Sequence, residues 1–308
     1  MQEVKKPNLI DRFKKLYEKR KFQRNFWGWV FIAPALIAFV LFVLVPIILS
    51  FTFSVTNYNG ISFENMKFVN FDNYAFIFKS QPRFWKGMQN IFVYTIIVVP
   101  VTLSLSMVLA LLIKKPIRGT KFFRGLFYLP GITSVVASAA VFTYLLSGGG
   151  VINTIIANIN DFFGWSIQPI LINSSQTALT GIILMAIWGG LGGNMILFLA
   201  GMNGIPESIY EAAEIDGAGK VRIFFQITLP LMRPALYFAL TLALIGAPQV
   251  FEPILIMNAN TTTPVYEIYR NAVEGTSVGL GTAQAVIMFI VIMIVTFIMQ
   301  RVSKENYF

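Results

Sequence analysis

The stretch Trp29–Val55, WVFIAPALIAFVLFVLVPIILSFTFSV, contains no Asp, Glu, Lys or Arg. A helix needs about 20 mostly apolar residues to cross the hydrocarbon core of a bilayer, and this run exceeds that length. It is too long for the apolar part of a cleaved signal peptide, and no small-residue cleavage site follows it, so it reads as a retained span. Five more windows of the same kind follow: Ile91–Ile113, Leu126–Leu146, Ala178–Met202, Pro234–Met257 and Val278–Met299. Across all six windows one acidic or basic residue occurs, Glu252 in the fifth. Backbone in lipid has to satisfy its own hydrogen bonds, so each window is expected to be a helix. The fold class is therefore an all-α integral membrane protein with about six transmembrane helices.

Composition agrees. The 308 residues are 56% hydrophobic and 12% charged, where a soluble domain carries about 25% charged residues. Cys and His are both absent. Disulfides, thiol nucleophiles and the commonest metal ligands are excluded with them. Without a nucleophile, a base or a metal site in the spans, a membrane enzyme is a poor reading.

The net charge of +10 invites a nucleic-acid reading, but the positions of the charges explain it otherwise. With the N-terminus placed inside, the inner segments 1–28, 114–125, 203–233 and 300–308 hold nine, five, three and two of the 24 Lys and Arg. The outer segments hold the other five, Lys67, Lys79, Arg83, Lys86 and Arg270. That asymmetry sets both termini in the cytoplasm by the positive-inside rule and predicts no nucleic-acid partner. The expected organisation is a basic cytoplasmic segment 1–26, a transmembrane domain 27–302 and a cytoplasmic tail 303–308. Arg12–Arg24, with Phe13, Leu16, Tyr17 and Phe22 interleaved, reads either as an amphipathic helix on the inner leaflet or as a solvated basic tail.

The inner segment 205–230, IPESIYEAAEIDGAGKVRIFFQITLP, differs from its surroundings. Pro206 or Ser208 opens a helix, with Glu207, Glu211 and Glu214 toward its positive N-terminal end. Gly217 and Gly219 break it and permit a tight turn. A second helical stretch, Val221–Ile227, follows, and Pro230 and Pro234 mark re-entry into the membrane. Such an element is either a plain connecting loop or a knob for a groove on a partner.

At this point the sequence resembles a known family. Glu211-Ala212-Ala213, then Asp216-Gly217, then Ile227, Leu229 and Pro230 match the Glu-Ala-Ala motif of ABC importer permeases without a gap, in the expected place before the penultimate span. The run AEIDGAGKVRIFFQITLPLMRP is similar to the sugar-importer branch. FIAPALIAFVLFVLVPIILSFTFSVTNYNG (Phe31–Gly60), FVNFDNYAFIF, FYLPGITSVVAS and Gly150-Val151-Ile152-Asn153 resemble the first permease of the maltose and glycerol-phosphate type.

The resemblance implies a type I importer permease in the bacterial inner membrane. It implies four kinds of partner: a second homologous permease as heterodimer, two cytoplasmic ATPase subunits, an extracellular solute-binding protein and a sugar substrate. The loop residues Glu211 to Pro230 would seat in the ATPase. ATP and Mg would be held by that partner and no cofactor by this chain, which has no G-x-x-x-x-G-K-[ST] phosphate loop.

An ionisable residue at membrane depth costs roughly 2.5–3.5 kcal/mol on insertion scales and usually faces a cavity or partner. Glu252 lies in GAPQVFEP, where Pro248 and Pro253 interrupt the helix, a recurring device at transporter sites. It lines a pocket or is wetted near the outer end of the span. By resemblance to the maltose permease, the sugar pathway maps to Ser134, Trp188, Gly190, Asn194, Gln249 and Glu252. Trp188 offers a ring face, or packs against helix or lipid. The glycines 189, 190, 192 and 193 also suit close helix packing. A glycerol-phosphate importer shares these motifs. An ion-coupled secondary transporter is the remaining alternative; it calls for internal repeats and buried charges in several spans, which this sequence lacks.

Overall fold

The computed structural model describes residues 9–114 and 119–304, with side chains from Gln23 to Arg301 apart from Arg24. The expected amphipathic face of Arg12–Arg24 rests on Phe13, Leu16, Tyr17 and Phe22, whose side chains lie outside those described, and of the tail 303–308 only the backbone of residues 303 and 304 is described. The chain divides into two units, Met1–Phe53 and Ser54–Phe308. Among the described residues it is helical, with one isolated bridge between Thr56 and Phe68 and no longer strand.

In the first unit, α1 (Leu9–Phe39) continues through a π turn, Val40–Leu44, into α2 (Val45–Ser54). Pro46 has no N–H for the carbonyl one turn back, and the wider turn just before it absorbs the defect. The Val45 N–H reaches Val40 O instead. From Phe26 on, most of the large apolar side chains of this helix are exposed, as suits a span whose solvent is lipid.

The second unit opens with α3 (Asp72–Ser80) and the long α4 (Pro82–Lys114). Next come α5 (Thr120–Ile132), α6 (Val135–Leu145) and α7 (Val151–Phe163), and then α8 (Ala178–Asn203). The core is built where α4 and α8 pack along each other. Val99, Leu103, Met107 and Ala110 of α4 meet Met195, Phe198, Leu199 and Met202 of α8 in one buried cluster. Ile91, Tyr94 and Val98 meet Ile182, Ile183 and Met185 in another, joined by Ala139, Phe142 and Ile254.

Between apolar helices in lipid, association depends on close approach and polar links more than on water exclusion. Both occur here. Ser106 Oγ donates to Leu191 O at 2.9 Å. A Cβ on Gly190 would lie 2.8 Å from Thr102 Cγ2, and one on Gly192 would lie 2.2 Å from Phe127 O. The helices can approach this closely at these two points because both residues carry only a hydrogen.

The third window is not one straight helix. α5 and α6 meet at 97° across Thr133 and Ser134, both extended. Pro130 withholds one backbone donor near the end of α5, and its neighbour Gly131 adds no helix-favouring side chain. The described residues thus hold five helices long and apolar enough to span, and six if the bent pair counts as one. The segment 147–177 between the third and fourth windows contains the amphipathic α7, whose Phe162 and Phe163 are exposed, as is Trp165 just after it.

Short helices α9 (Glu207–Ile215), α10 (Lys220–Ile223) and α11 (Leu229–Leu231) form the segment between α8 and α12 (Arg233–Gly246). The fifth span then breaks, as its prolines predict. A 3-10 turn, Ala247–Gln249, and two non-helical residues separate α12 from α13 (Glu252–Ile256). α14 (Pro264–Tyr269) and the final α15 (Val278–Lys304) complete the unit.

Candidate functional site

The two broken helices face the same space. A cavity of about 580 Å³ is bounded by the α5–α6 bend, the α12–α13 break, α8 and Tyr94 of α4. Trp188, Gln249 and Glu252 all line it, so three of the six residues singled out for a pathway converge. Glu252 opens α13 and is exposed; Pro253 follows it in the first turn, where its missing N–H would have no helical partner anyway. Trp188 rests edge-tilted on Phe142, ring centres 5.5 Å apart, with the rest of its ring toward the cavity. Gln249 Nε2 donates back to Ile245 O at 2.8 Å, which leaves its carbonyl oxygen as an acceptor.

The break costs backbone hydrogen bonds, and the loop after α13 repairs one of them. Thr263 Oγ1, fully buried, donates to Val250 O at 2.7 Å. An orphaned carbonyl at that depth is expensive, so the loop holds the cavity wall in place.

The other three residues lie outside the lining. Ser134 is the residue before α6 and is exposed, while its neighbours Thr133 and Val135 line the cavity. Gly190 abuts Thr102 in the α4–α8 crossing, so it packs helices. Asn194 Nδ2 donates to Gly190 O at 2.9 Å on its own helix. Tyr94 and Ser138, which do line the cavity, were not anticipated. Their signal lay in helix register: Tyr94 is four residues from Asn90 and Val98, both buried on the same face.

The segment 205–230 forms the expected helix–turn–helix. Pro206 precedes α9, and Gly217 takes φ +75°, the left-handed conformation that suits glycine. Ala218 N–H donates to Ala213 O and Gly217 N–H to Glu214 O, the paired bonds of a Schellman C-cap. Gly219 has φ −70° and is not the left-handed residue of the turn; it leads into α10 instead. The second stretch runs through a π turn, Phe224–Thr228, which contains Ile227, into Leu229 and Pro230 of α11.

This element has an inward and an outward face. Ala213 is buried, and Ile205 and Phe224 pack beside the α4–α8–α12 core. Glu211, Ala212, Glu214 and Asp216 are exposed. So are Ile215 at 86%, Val221 at 72% and Phe225 at 61%. Apolar side chains that open beside carboxylates on a turn have the character of a contact surface. Lys114, at the end of α4, places its ammonium 3.9 Å from the centre of the Tyr210 ring. Thr228 donates to the Tyr210 hydroxyl at 3.4 Å, so Tyr210 ties α9 to both neighbours.

The comparisons with known proteins converge on one family. Residues 75–306 match the family described as "Binding-protein-dependent transport system inner membrane component". The probable ABC transporter permease protein YesP of Bacillus subtilis (strain 168) is 32% identical over 306 residues, covering 96% of each chain. The arabinooligosaccharides transport system permease protein AraP of the same organism is 30% identical, covering 89% of this chain and 88% of its own. The sulfoquinovosyl glycerol transport system permease protein SmoG of Agrobacterium fabrum (strain C58 / ATCC 33970) is 33% identical and 89% covered on both sides. A crystal structure of a bacterial alginate ABC transporter, in complex with an alginate pentasaccharide-bound periplasmic protein, has a chain of the same fold. The TM-score is 0.76 at 21% identity, over 93% of this chain and 96% of that one. With its multi-pass helices, its broken spans around one cavity and its exposed Glu-Ala-Ala turn, this chain belongs to the family of binding-protein-dependent transport system inner membrane components.

Proposed function

We propose that the chain is one of two permease subunits of an ATP-driven importer for a sugar or oligosaccharide. The observation that carries this is the Glu207–Pro230 element, whose exposed apolar tip sits beside Glu211 and Asp216 on a turn rigidly joined to the helices that bound the cavity. In this reading the tip seats in a groove of a cytoplasmic ATPase, with both termini on the same side. A homologous permease supplies the other half of the pathway, and an extracellular binding protein delivers the substrate. ATP and Mg belong to the ATPase pair, and this chain holds no cofactor. Opening and closing of that pair rocks the helices, and access alternates because each state favours a different side.

Relatives named for arabinooligosaccharide, lactose and multiple-sugar transport support sugar as the substrate class. The cavity adds a chemical argument. Its described lining includes an indole, a carboxamide, hydroxyls and one carboxylate, and no cation. That set suits the ring faces and hydroxyls of a neutral sugar and disfavours a phosphorylated one.

The test is ATP hydrolysis by the reconstituted complex in liposomes, with Glu211→Lys and Gly217→Asp compared with the native chain. The native complex is expected to respond to sugar-loaded binding protein, and both variants to insert normally and lose the response. Variants that stay fully coupled would remove the main support for this assignment.

A further inference from the structure

A second cavity, of about 690 Å³, lies at the opposite end of α4 from Lys114. It is lined by Arg83, Lys86 and Asn90 of α4, by Ser175 and Gln176 before α8, and by Asn260 to Thr262 after α13. In the proposed orientation this end faces outward. Cations are scarce there: five of the chain's 24 Lys and Arg fall in outer segments. Two of those five line this cavity, and a third, Arg270, is joined to it through Glu267.

The charges are held in a built frame. Glu267 is 3% exposed, and its Oε1 accepts from Arg83 Nε at 3.1 Å, from Arg270 at 3.2 Å and from Thr262 Oγ1 at 2.7 Å. One buried carboxylate thus orients two arginines and cannot neutralise both. With Lys86 the surrounding charge is a net two positive. Arg83 keeps 60% of its side chain exposed, and Lys86 is exposed one turn along the same face. The walls are fixed too. Buried Asn90 donates to Thr261 Oγ1 and Thr262 O, and Asn260 is tied to Ile172 O and Asn173 O. Loop and helix meet so closely at Gly87 that a Cβ there would lie 2.8 Å from the Thr263 carbonyl carbon.

We propose that this cavity is a preformed anion receptor that seats an acidic side chain of the extracellular solute-binding protein. The proposal rests on the importer reading for its sidedness and its partner. The disposition of charge argues against an acidic substrate as the occupant. Ile91, Ala178 and Ala259, each next to a lining residue in sequence, belong to the buried apolar cluster. The cavity therefore backs onto core. Further along the same face of α4 comes Tyr94, and with it the inner cavity whose charged group is Glu252. An anionic sugar drawn to Arg83 would meet an apolar wall and then a carboxylate, whereas a partner's carboxylate stays at the surface. Preformed cations of this kind steer encounter and fix orientation more than they add raw affinity.

The experiment uses the complete transporter in nanodiscs and its purified, sugar-loaded binding protein. The concentration of binding protein that gives half-maximal ATPase stimulation is measured between low and high salt. Lys86→Gln is expected to raise it roughly three- to tenfold at low salt and to flatten its salt dependence, and Arg83→Gln to act in the same direction. Lys86 has no part in the Glu267 frame, so its variant keeps the fold. Lys86→Glu is expected to be worse still, and rescued by reversing one acidic residue on the binding protein. Unchanged half-saturation and salt slope would overturn the assignment. So would an effect that follows the charge of the sugar and not that of the binding protein. A native complex that ignores its binding protein altogether would instead bring down the importer reading, and this receptor with it.

Discussion

α4 ends in two very different neighbourhoods, about 50 Å apart by its helical rise over 33 residues. At Lys114 it meets a turn that points its apolar side chains outward: Ile215, Val221 and Phe225 are all more than half exposed. At Arg83 it meets a loop that points its polar side chains inward: Thr262, Thr263 and Glu267 are all buried. A chain folding for its own stability would not do the first, whereas the second is a buried polar frame whose partners are satisfied. In the proposed reading the first end is finished by a partner, while the second is finished by the chain itself and then left charged. Stability and coupling should therefore separate when the two ends are mutated.

The largest effect on folding is expected at the inward-turned end. Glu267→Ala removes the acceptor shared by Arg83, Arg270 and Thr262 and leaves a void where the carboxylate was. Hydrogen bonds to a buried charged group are worth about 1.5–3 kcal/mol, and both arginines keep some access to water, so a loss of roughly 2–3 kcal/mol is expected. Thermal unfolding in detergent measures it. Glu267→Gln should recover part of the loss, because the amide oxygen still accepts. An unchanged midpoint for the Ala variant would mean that the two ends do not differ in the way described.

The outward-turned end should behave in the opposite manner. Ile215→Ser with Val221→Ser alters side chains that are mostly exposed, so the unfolding midpoint should stay within about 0.5 kcal/mol of the native value. Seated in a partner, two such apolar anchors are worth about 1–2 kcal/mol, and the affinity for the ATPase should fall at least tenfold. Co-purification and ATPase titration read the second number on the same preparation as the first. A drop in stability with no change in affinity would make the tip a piece of core and reverse the comparison.

How far the sequence foretold these features follows from the range of the forces involved. The spans were legible because length and apolarity in lipid are local properties, and the windows at Ala178 and Val278 begin at the residues where the helices do. The break after Gly246 was legible because Pro248 and Pro253 act on their own backbone. The 97° bend after Ile132 was not: hydropathy is blind to direction, and Leu126–Leu146 is as apolar as a straight span. Glu267 was invisible because Arg83, which it holds, is 184 residues away. Gly190 and Gly192 are alike in sequence, and only the rotation of α8 decides that one faces Thr102 and the other Phe127. The same rotation turns Asn194 away from the cavity that Trp188 enters. The Glu-Ala-Ala turn read well as structure because its signals, a proline before the helix and Gly217 after it, act within one turn of chain.

The smallest effect falls where the outward-turned end is fastened to the helix it shares with the other. Lys114 and Tyr210 form a cation–π contact, and Thr228 holds the Tyr210 hydroxyl from the far side. Such a contact at a partly exposed site is worth about 0.5–1 kcal/mol, which corresponds to roughly a two- to fivefold effect. If motion of the seated tip reaches the cavity through α4, Lys114→Met should leave ATPase affinity untouched and lower the sugar moved per ATP by about that factor. Lys114→Arg, which keeps the cation over the ring, should restore it. Tyr210→Phe keeps the ring and loses only the Thr228 contact, so it should fall between the two. Transport and hydrolysis measured in the same liposomes give the ratio directly. A ratio unmoved by Lys114→Met would mean that the tip drives the cavity through α8 and α12 alone, and that α4 holds the two ends together without linking them.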